Sequence, residues 1–197
     1  MTELILASTS AVRRTLLTQA GLTYQAVSPG VDEEVVKTRL LAEGQGPKAI
    51  AMALGEAKAV AVSRKTPGLV IGADQTLDLD GALYDKVASI AAARERLRLL
   101  RGRTHELHAG LAIAEDGEVI WRQQVTSRLT MRAFSDVFLE RYLASDGEAA
   151  LSSVGCYQLE GVGVQLFEAI EGDYFAILGL PLMGLLAFLR ERGVAPA

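Results

Sequence analysis

The chain has 197 residues, half of them hydrophobic and 22% charged, with 24 acids against 20 bases. That length fits one compact domain over 1–197. The apolar fraction is ample for a core and the 19 glycines follow no period, which excludes a disordered or fibrous chain. A net charge of -4 gives no reason to expect a nucleic-acid polymer as partner.

Leu4 to Ala7 is a short apolar run ending in Ser8-Thr9-Ser10, after which Val12, Leu16, Leu17 and Ala20 recur at helical spacing until Gly21. The pattern predicts strand, loop and helix. Thr23 to Val27 reads as a second strand, and the acidic cluster Asp32-Glu33-Glu34 that follows reads as a solvated loop. Pro47 to Arg64 is alanine-rich and predicts a helix with proline near its start. Leu69-Val70-Ile71 is apolar at consecutive positions, as in a strand covered on both faces, and ends in Gly72-Ala73-Asp74.

Asp80-Gly81 between Thr76–Leu79 and Ala82–Tyr84, and Asp116-Gly117 between Leu107–Ala114 and Val119–Leu129, are hairpin signals. Ser89 and Ser135 are positioned to cap helices, the first running to about Arg101, the second with Val137, Phe138 and Tyr142 turned inward. The glycine-rich stretch Gly155 to Gly163 precedes a strand through about Ile170, and Pro181 opens a terminal helix. Strands alternating with helices early and hairpins later predict an α/β fold around a mixed sheet.

A lone cysteine, Cys156, forms no internal disulfide, and two histidines, His105 and His108, do not make a Cys/His zinc cage. The start Met1-Thr2-Glu3 has no basic leader, and the longest apolar run, Tyr174 to Leu189, is broken by Gly179, Pro181 and Gly184. A cytoplasmic protein with no membrane partner is expected.

Three local anomalies point to chemistry. With Ser10 as N-cap, Arg13 and Arg14 stand in the first helical turn, where the dipole and unpaired N–H groups are already positive. Two cations there make sense if an anion sits at the loop, gripped by N–H groups, the Ser8 and Ser10 hydroxyls and the guanidinium forks. Lys58 shares an apolar stripe with Ala51, Leu54 and Ala61. Its stem either snorkels to solvent or the ammonium has a buried partner, and the residues alone leave both open. Asp74, at the carboxyl end of an apolar strand, occupies the usual place of ligand groups in open sheets, though a turn-capping aspartate would look the same. Beside phosphates the acidic cluster gains a purpose, since Mg²⁺ is held by one or two carboxylates plus substrate oxygens. Lys86 is either a further counter-charge or an ordinary exposed lysine. The arginines 94, 96, 98 and 101 read as a solvated helix face, and His105 as a structural hydrogen-bonding residue.

Taken together, Leu6-Ala7-Ser8-Thr9-Ser10-Ala11-Val12-Arg13-Arg14, Val31-Asp32-Glu33, Glu56-Ala57-Lys58-Ala59, Gly72-Ala73-Asp74-Gln75, Arg101-Gly102-Arg103-Thr104-His105, Tyr157-Gln158-Leu159-Glu160-Gly161 and Gly179-Leu180-Pro181-Leu182 resemble the Maf family of nucleoside triphosphate pyrophosphatases across essentially the whole chain. The resemblance implies a mixed twisted sheet flanked by helices, two lobes with a central cleft, similar to the inosine triphosphate pyrophosphatases, and a homodimer. It implies hydrolysis between the α and β phosphates, giving nucleoside monophosphate and pyrophosphate. Ser8, Ser10, Arg13 and Arg14 would grip the triphosphate, and Glu33 and Asp74 would serve a divalent metal, Mg²⁺ or Mn²⁺, with Asp74 as general base. Lys58 and Lys86 would complete the charge neutralisation, and Gln75 and the Glu160 segment would lie close to the nucleotide.

Ala11 and Val87 stand where the family commonly has proline. The Ala11-Val12 spacer, Gln75 and Glu160 resemble the branch acting on 7-methyl-GTP rather than the branch preferring dTTP and UTP, and a carboxylate at 160 suits guanine N–H donors. A nucleotide-binding regulator of septum formation with vestigial catalysis is the alternative of a different class.

Overall fold

The apolar run Leu4–Ala7 is strand β1, buried at every residue because it lies inside a sheet covered on both faces. In a computed structural model that describes residues 3–196, the chain continues through α1 (Ala11–Gln19), β2 (Gln25–Val27), α2 (Glu33–Ala42) and α3 (Pro47–Ser63). Then come β3 (Leu69–Leu79), β4 (Ala82–Tyr84), α4 (Ile90–Leu100), β5 (Thr104–Glu115), β6 (Glu118–Met131) and α5 (Asp136–Ala150). A 3-10 turn, Val162–Leu166, leads into β7 (Phe167–Glu171), the short α6 (Tyr174–Ile177) and α7 (Leu182–Glu191). Met1 and Thr2, which belong to the segment read as lacking a leader, lie outside the described residues.

The strand order is β2-β1-β3-β5-β6-β7, with β4 added beside β3. β1 runs parallel to β2 and β3, and the other pairs are antiparallel. This is the mixed α/β sheet that the sequence predicts. Both Asp-Gly hairpins form, with Asp80 (φ 55°) and Asp116 (φ 51°) followed by Gly81 and Gly117 at φ 83° and 82°. Positive φ at both central residues matches the right-handed twist of the flanking strands. No helix among the described residues is long and apolar enough to cross a membrane.

Odd-numbered residues of β3 and β5 share one face of the sheet, and two separate cores form along it. Leu69, Ile71, Leu111 and Ile113 pack with Leu16 and Leu17 of α1 and Leu182, Leu185 and Leu189 of α7. Farther along the same strands, Leu77, Leu79 and Leu107 pack with Ala93, Leu97 and Leu100 of α4 and Leu139, Tyr142 and Leu143 of α5. Each fully buried leucine or isoleucine contributes about 2 kcal/mol. The sheet thus carries two lobes, and Gln75 lies on β3 between the residues of the two cores.

The opposite face is covered by α3, which approaches the sheet backbone to backbone. A Cβ on Gly55 would stand 2.9 Å from the Gly110 carbonyl oxygen, and one on Gly72 or Gly110 would overlap the helix backbone at Gly55 and Ala51. Side chains there would push the helix outward. The close seat explains the glycines and also sets how far a side chain on α3 must reach to meet the strand.

Several elements differ from the sequence expectation. β3 is one continuous strand to Leu79, so Asp74 is in its middle and not at its carboxyl end. The ligand-bearing position survives for another reason: β1 pairs only with Leu69–Ile71 and β4 only with Leu77–Leu79, leaving one edge of β3 open across 72–76. The cluster read as a loop is the start of α2, where Asp32 caps the helix by accepting from the Val35 N–H at 3.1 Å and Glu33 and Glu34 fill the first turn. Helix α6 has no sequence counterpart. In α5, Val137 faces solvent at 70% exposure, while Phe138 and Tyr142 face the core together with Leu139 and Leu143.

Candidate functional site

The β1–α1 loop is built around two serines. Ser8 is buried, and its Oγ accepts from the Ser10 N–H at 3.2 Å, while Ser10 Oγ caps α1 by accepting from the Arg13 N–H at 3.4 Å. Arg13 folds back over the loop, donating from Nε to the Gly179 carbonyl at 2.8 Å and from Nη1 to Ser8 Oγ at 3.3 Å. Gly179 holds a left-handed turn at φ 89°, which favours glycine, and a Cβ there would press on the guanidinium at 3.3 Å. Burial pushes the Arg13 pKa down, and the carboxylates of Asp74 and Glu33 pull it back up. Arg14 goes the other way. It is exposed on the outer side of α1 beside Thr15 and Thr18, outside the main cleft, because successive helical residues diverge by roughly 100°.

Lys58 does not snorkel; it has partners. Its ammonium lies 2.5 Å from Asp74 Oδ1 and 2.7 Å from Glu33 Oε1, with the lysine side chain 7% exposed. Helix α3, strand β3 and helix α2 each supply one member of this triad. Lys58 engages one oxygen of each carboxylate, and Glu33, 42% exposed, opens the triad to the cleft.

The same cleft takes in Ser8, Ser10, Arg13, Glu33, Lys58, Asp74, Gln75, Lys86 and Glu160, in a volume of about 640 Å³. That is the size of a cavity for a drug-sized ligand. Every residue that the family resemblance assigns to the site lines it except Arg14.

Lys37 and Asp85 also line it. Lys37 of α2 donates to Glu34 at 2.8 Å and to Asp85 at 2.6 Å, binding α2 to the segment that carries Lys86. Burial lowers the Lys37 pKa, but the hydrogen bonds it donates to Asp85 and Glu34 outweigh it and the net shift is upward. A lysine at the fifth position of a surface helix that buries no residue gives no sequence signal. Among the arginines read as a solvated face, Arg96 instead donates to the backbone carbonyls of Asp85 and Val154, at 3.1 and 2.7 Å, and lies over the Tyr84 ring.

At the opposite end, Gln75 Nε2 donates to the Ala176 and Ile177 carbonyls, each at 2.9 Å. Both amide protons are used by α6, so the side chain offers its carbonyl oxygen to a ligand. Tyr157 and the exposed Glu160 line the cleft from the 152–160 segment. Tyr157 is anchored from behind, with its hydroxyl 2.6 Å from His105 Nε2 and its ring edge-on to Phe167.

His105 is therefore structural, as read from the sequence: it is 1% exposed and absent from the cleft lining. Burial lowers its pKa from 6.5 to about 4. Between those values the unfolded chain binds a proton that the folded chain does not, so stability falls on acidification, by up to about 3 kcal/mol. Urea unfolding midpoints measured across this range will show that loss, and in His105→Gln it will shrink.

A separate group of potential metal donors, Asp78, Glu106 and His108, offers three ligand atoms within 4.8 Å of one another, on residues that do not line the cleft.

The chain is similar along its whole length to known proteins. It is 58% identical over 193 residues to a nucleoside triphosphate pyrophosphatase of Caulobacter vibrioides, covering 98% of this chain and 97% of the relative. It is 49% identical over 195 residues to a 7-methyl-GTP pyrophosphatase of Rhizobium meliloti, covering 98% of each. Among solved structures, a HAM1 protein from Coxiella burnetii aligns with 68% of this chain and 75% of its own at a TM-score of 0.45 and 13% identity. The family model described as Maf-like protein matches residues 3–192, and with these relatives it shows that the chain belongs to the Maf family.

Proposed function

We propose that the protein is a nucleoside triphosphate pyrophosphatase that hydrolyses the bond between the α and β phosphates, with 7-methyl-GTP as its leading substrate. The observation that carries the reading is the Glu33–Lys58–Asp74 triad at the open edge of β3, facing Ser8, Ser10 and Arg13 across one cleft. A nucleoside triphosphate brings about four negative charges, and Arg13, Lys58, Lys86 and Lys37 supply the cations to meet them. The start of α1 adds free N–H groups on the phosphate side.

Each carboxylate of the triad leaves one oxygen unengaged by Lys58, which fits a hard divalent cation that takes a carboxylate or two plus phosphate oxygens. Mg²⁺ or Mn²⁺ held by Glu33 and Asp74 would supply charge neutralisation and polarise the attacked phosphate. Asp74, held by Lys58 at one oxygen, has two lone pairs on the other, one to face the cation and one to orient a water and accept its proton as the water attacks the α-phosphorus. Arg13, fixed between Ser8 and Gly179, and Lys86 bind the departing pyrophosphate as its charge develops. The Gln75 carbonyl and the Glu160 carboxylate both accept hydrogen bonds, which matches the N–H donors of a guanine edge. The 49% identical relative named 7-methyl-GTP pyrophosphatase supports this base preference. We place the enzyme in the cytoplasm as a single-domain homodimer on the family resemblance.

Pyrophosphate release from a panel of nucleotides with Mg²⁺ or Mn²⁺ tests the reading. We expect 7-methyl-GTP to be hydrolysed fastest. Faster turnover of UTP and dTTP overturns the base assignment, and no release from any nucleotide overturns the activity.

A further inference from the structure

We propose that Asp78, Glu106 and His108 form a second divalent-metal site, of the zinc type, on the sheet face beyond the start of α3. It is separate from the cleft: none of the three lines it, and Asp78 is four residues along β3 from Asp74, about 13 Å at strand rise. Too few histidines and one cysteine exclude a Cys/His cage, but one imidazole with two carboxylates is an adequate donor set for zinc.

Three observations converge on it. The first is register: Asp78 and Glu106 stand directly opposite each other on β3 and β5. Like charges so placed destabilise a sheet, and Arg128 answers only the Glu106 side of the pair. The second is the spacing of the donors. His108 Nε2 is 3.3 Å from Asp78 Oδ2, a hydrogen bond that an ion would replace, and 3.7 Å from Glu106 Oε2. A tetrahedral ion with bonds of about 2.1 Å separates its ligand atoms by about 3.4 Å.

The third observation is that the remaining atom of each donor group is already engaged. Asp78 Oδ1 accepts from the Gly81 N–H at 2.7 Å, Glu106 Oε1 from Arg128 Nε at 2.8 Å, and His108 Nδ1 lies 2.9 Å from Thr126 Oγ1. Outer partners of this kind fix the orientation of metal ligands. His108 is 3% exposed, whereas Asp78 and Glu106 are 17% and 31% exposed, so the imidazole forms the floor and solvent reaches a fourth position from above. The ion would staple β3 to β5 next to the β3–β4 hairpin, whose following segment bears Asp85 and Lys86.

Chelator-stripped protein is titrated with Zn²⁺ by calorimetry, and thermal unfolding is followed with and without the metal. Wild type and Asp74→Asn are expected to bind one Zn²⁺ here with equal affinity and to gain melting temperature. His108→Ala is expected to lose that binding and that gain. Thr126→Val, which suits a strand and removes only the outer partner, is expected to weaken binding by about 10- to 100-fold. The site is refuted if wild type takes up no Zn²⁺, which would leave His108 as a cross-strand ion-pair residue. It is equally refuted if Thr126→Val and His108→Ala bind as wild type does, or if Asp74→Asn abolishes the uptake.

Discussion

Asp74→Asn is expected to lower kcat for nucleotide hydrolysis by about 10²- to 10⁴-fold while KM changes little. The asparagine keeps the volume and an oxygen that Lys58 can still donate to, so the triad geometry at 2.5 Å has a neutral replacement in place. What is lost is the proton acceptor for the attacking water, a role that exists only as the water becomes a nucleophile. Because Arg13 and Lys86 reach the cleft independently of Asp74, substrate binding has its own supports. Steady-state pyrophosphate release at saturating 7-methyl-GTP gives the answer. A drop in kcat below about tenfold would remove Asp74 from the role of general base, and a rise in KM with kcat intact would make it a binding group.

How much of this site is legible in the sequence depends on whether a residue contradicts its own surroundings. Lys58 does: a charge on the apolar stripe of α3 must either snorkel to solvent or be met by a partner. The partner is not legible, because Asp74 and Glu33 come from two other elements and are brought together by the glycine-to-backbone seat of α3 on β3 and β5. Arg13 and Arg14 contradict the helix dipole as a pair, but a helix separates consecutive side chains by roughly 100°, so one turns to the cleft and the other to solvent. Helical geometry alone distinguishes them only when the direction of the cleft is known.

The missed elements fail for the converse reason. Helix α2 buries no residue and exposes Val35 at 64%, so it leaves no apolar period to read, and its acidic start looks like a loop until the capping bond of Asp32 is seen. Strand β3 is interrupted in composition, not in conformation. The polar residues Asp74, Gln75 and Thr76 break its apolar run because that stretch faces the cleft along an open edge, while β5 pairs with it without interruption from Val70 to Asp78. The departure from strand-like composition thus marks the site itself. Lys37 and Asp85 meet across 48 residues, a pairing that neither helix nor hairpin periodicity encodes.

Replacing Lys58 is expected to damage both activity and stability, and the two effects separate by combination. Lys58→Met leaves Glu33 and Asp74, each within 2.7 Å of the lost ammonium, facing one another without the cation that bridges them. Breaking a fully buried pair costs about 3–5 kcal/mol, and the 42% exposure of Glu33 discounts this to roughly 2 kcal/mol. Turnover is expected to fall by about 10²- to 10³-fold, since a fixed cation beside the reacting phosphate is removed. Adding Asp74→Asn to Lys58→Met removes the repulsion as well as the base. The double variant is then expected to unfold at higher urea concentration than Lys58→Met alone, with a coupling of at least about 1 kcal/mol in a double-mutant cycle. It will be no more active than Asp74→Asn. If the two substitutions instead add independently in stability, the lysine is not the counter-charge of that aspartate, and the triad is a coincidence of packing. A coupling confined to stability, with kcat unaffected by Lys58→Met, would keep the lysine as a structural cation and pass its phosphate role to Lys86 and Lys37.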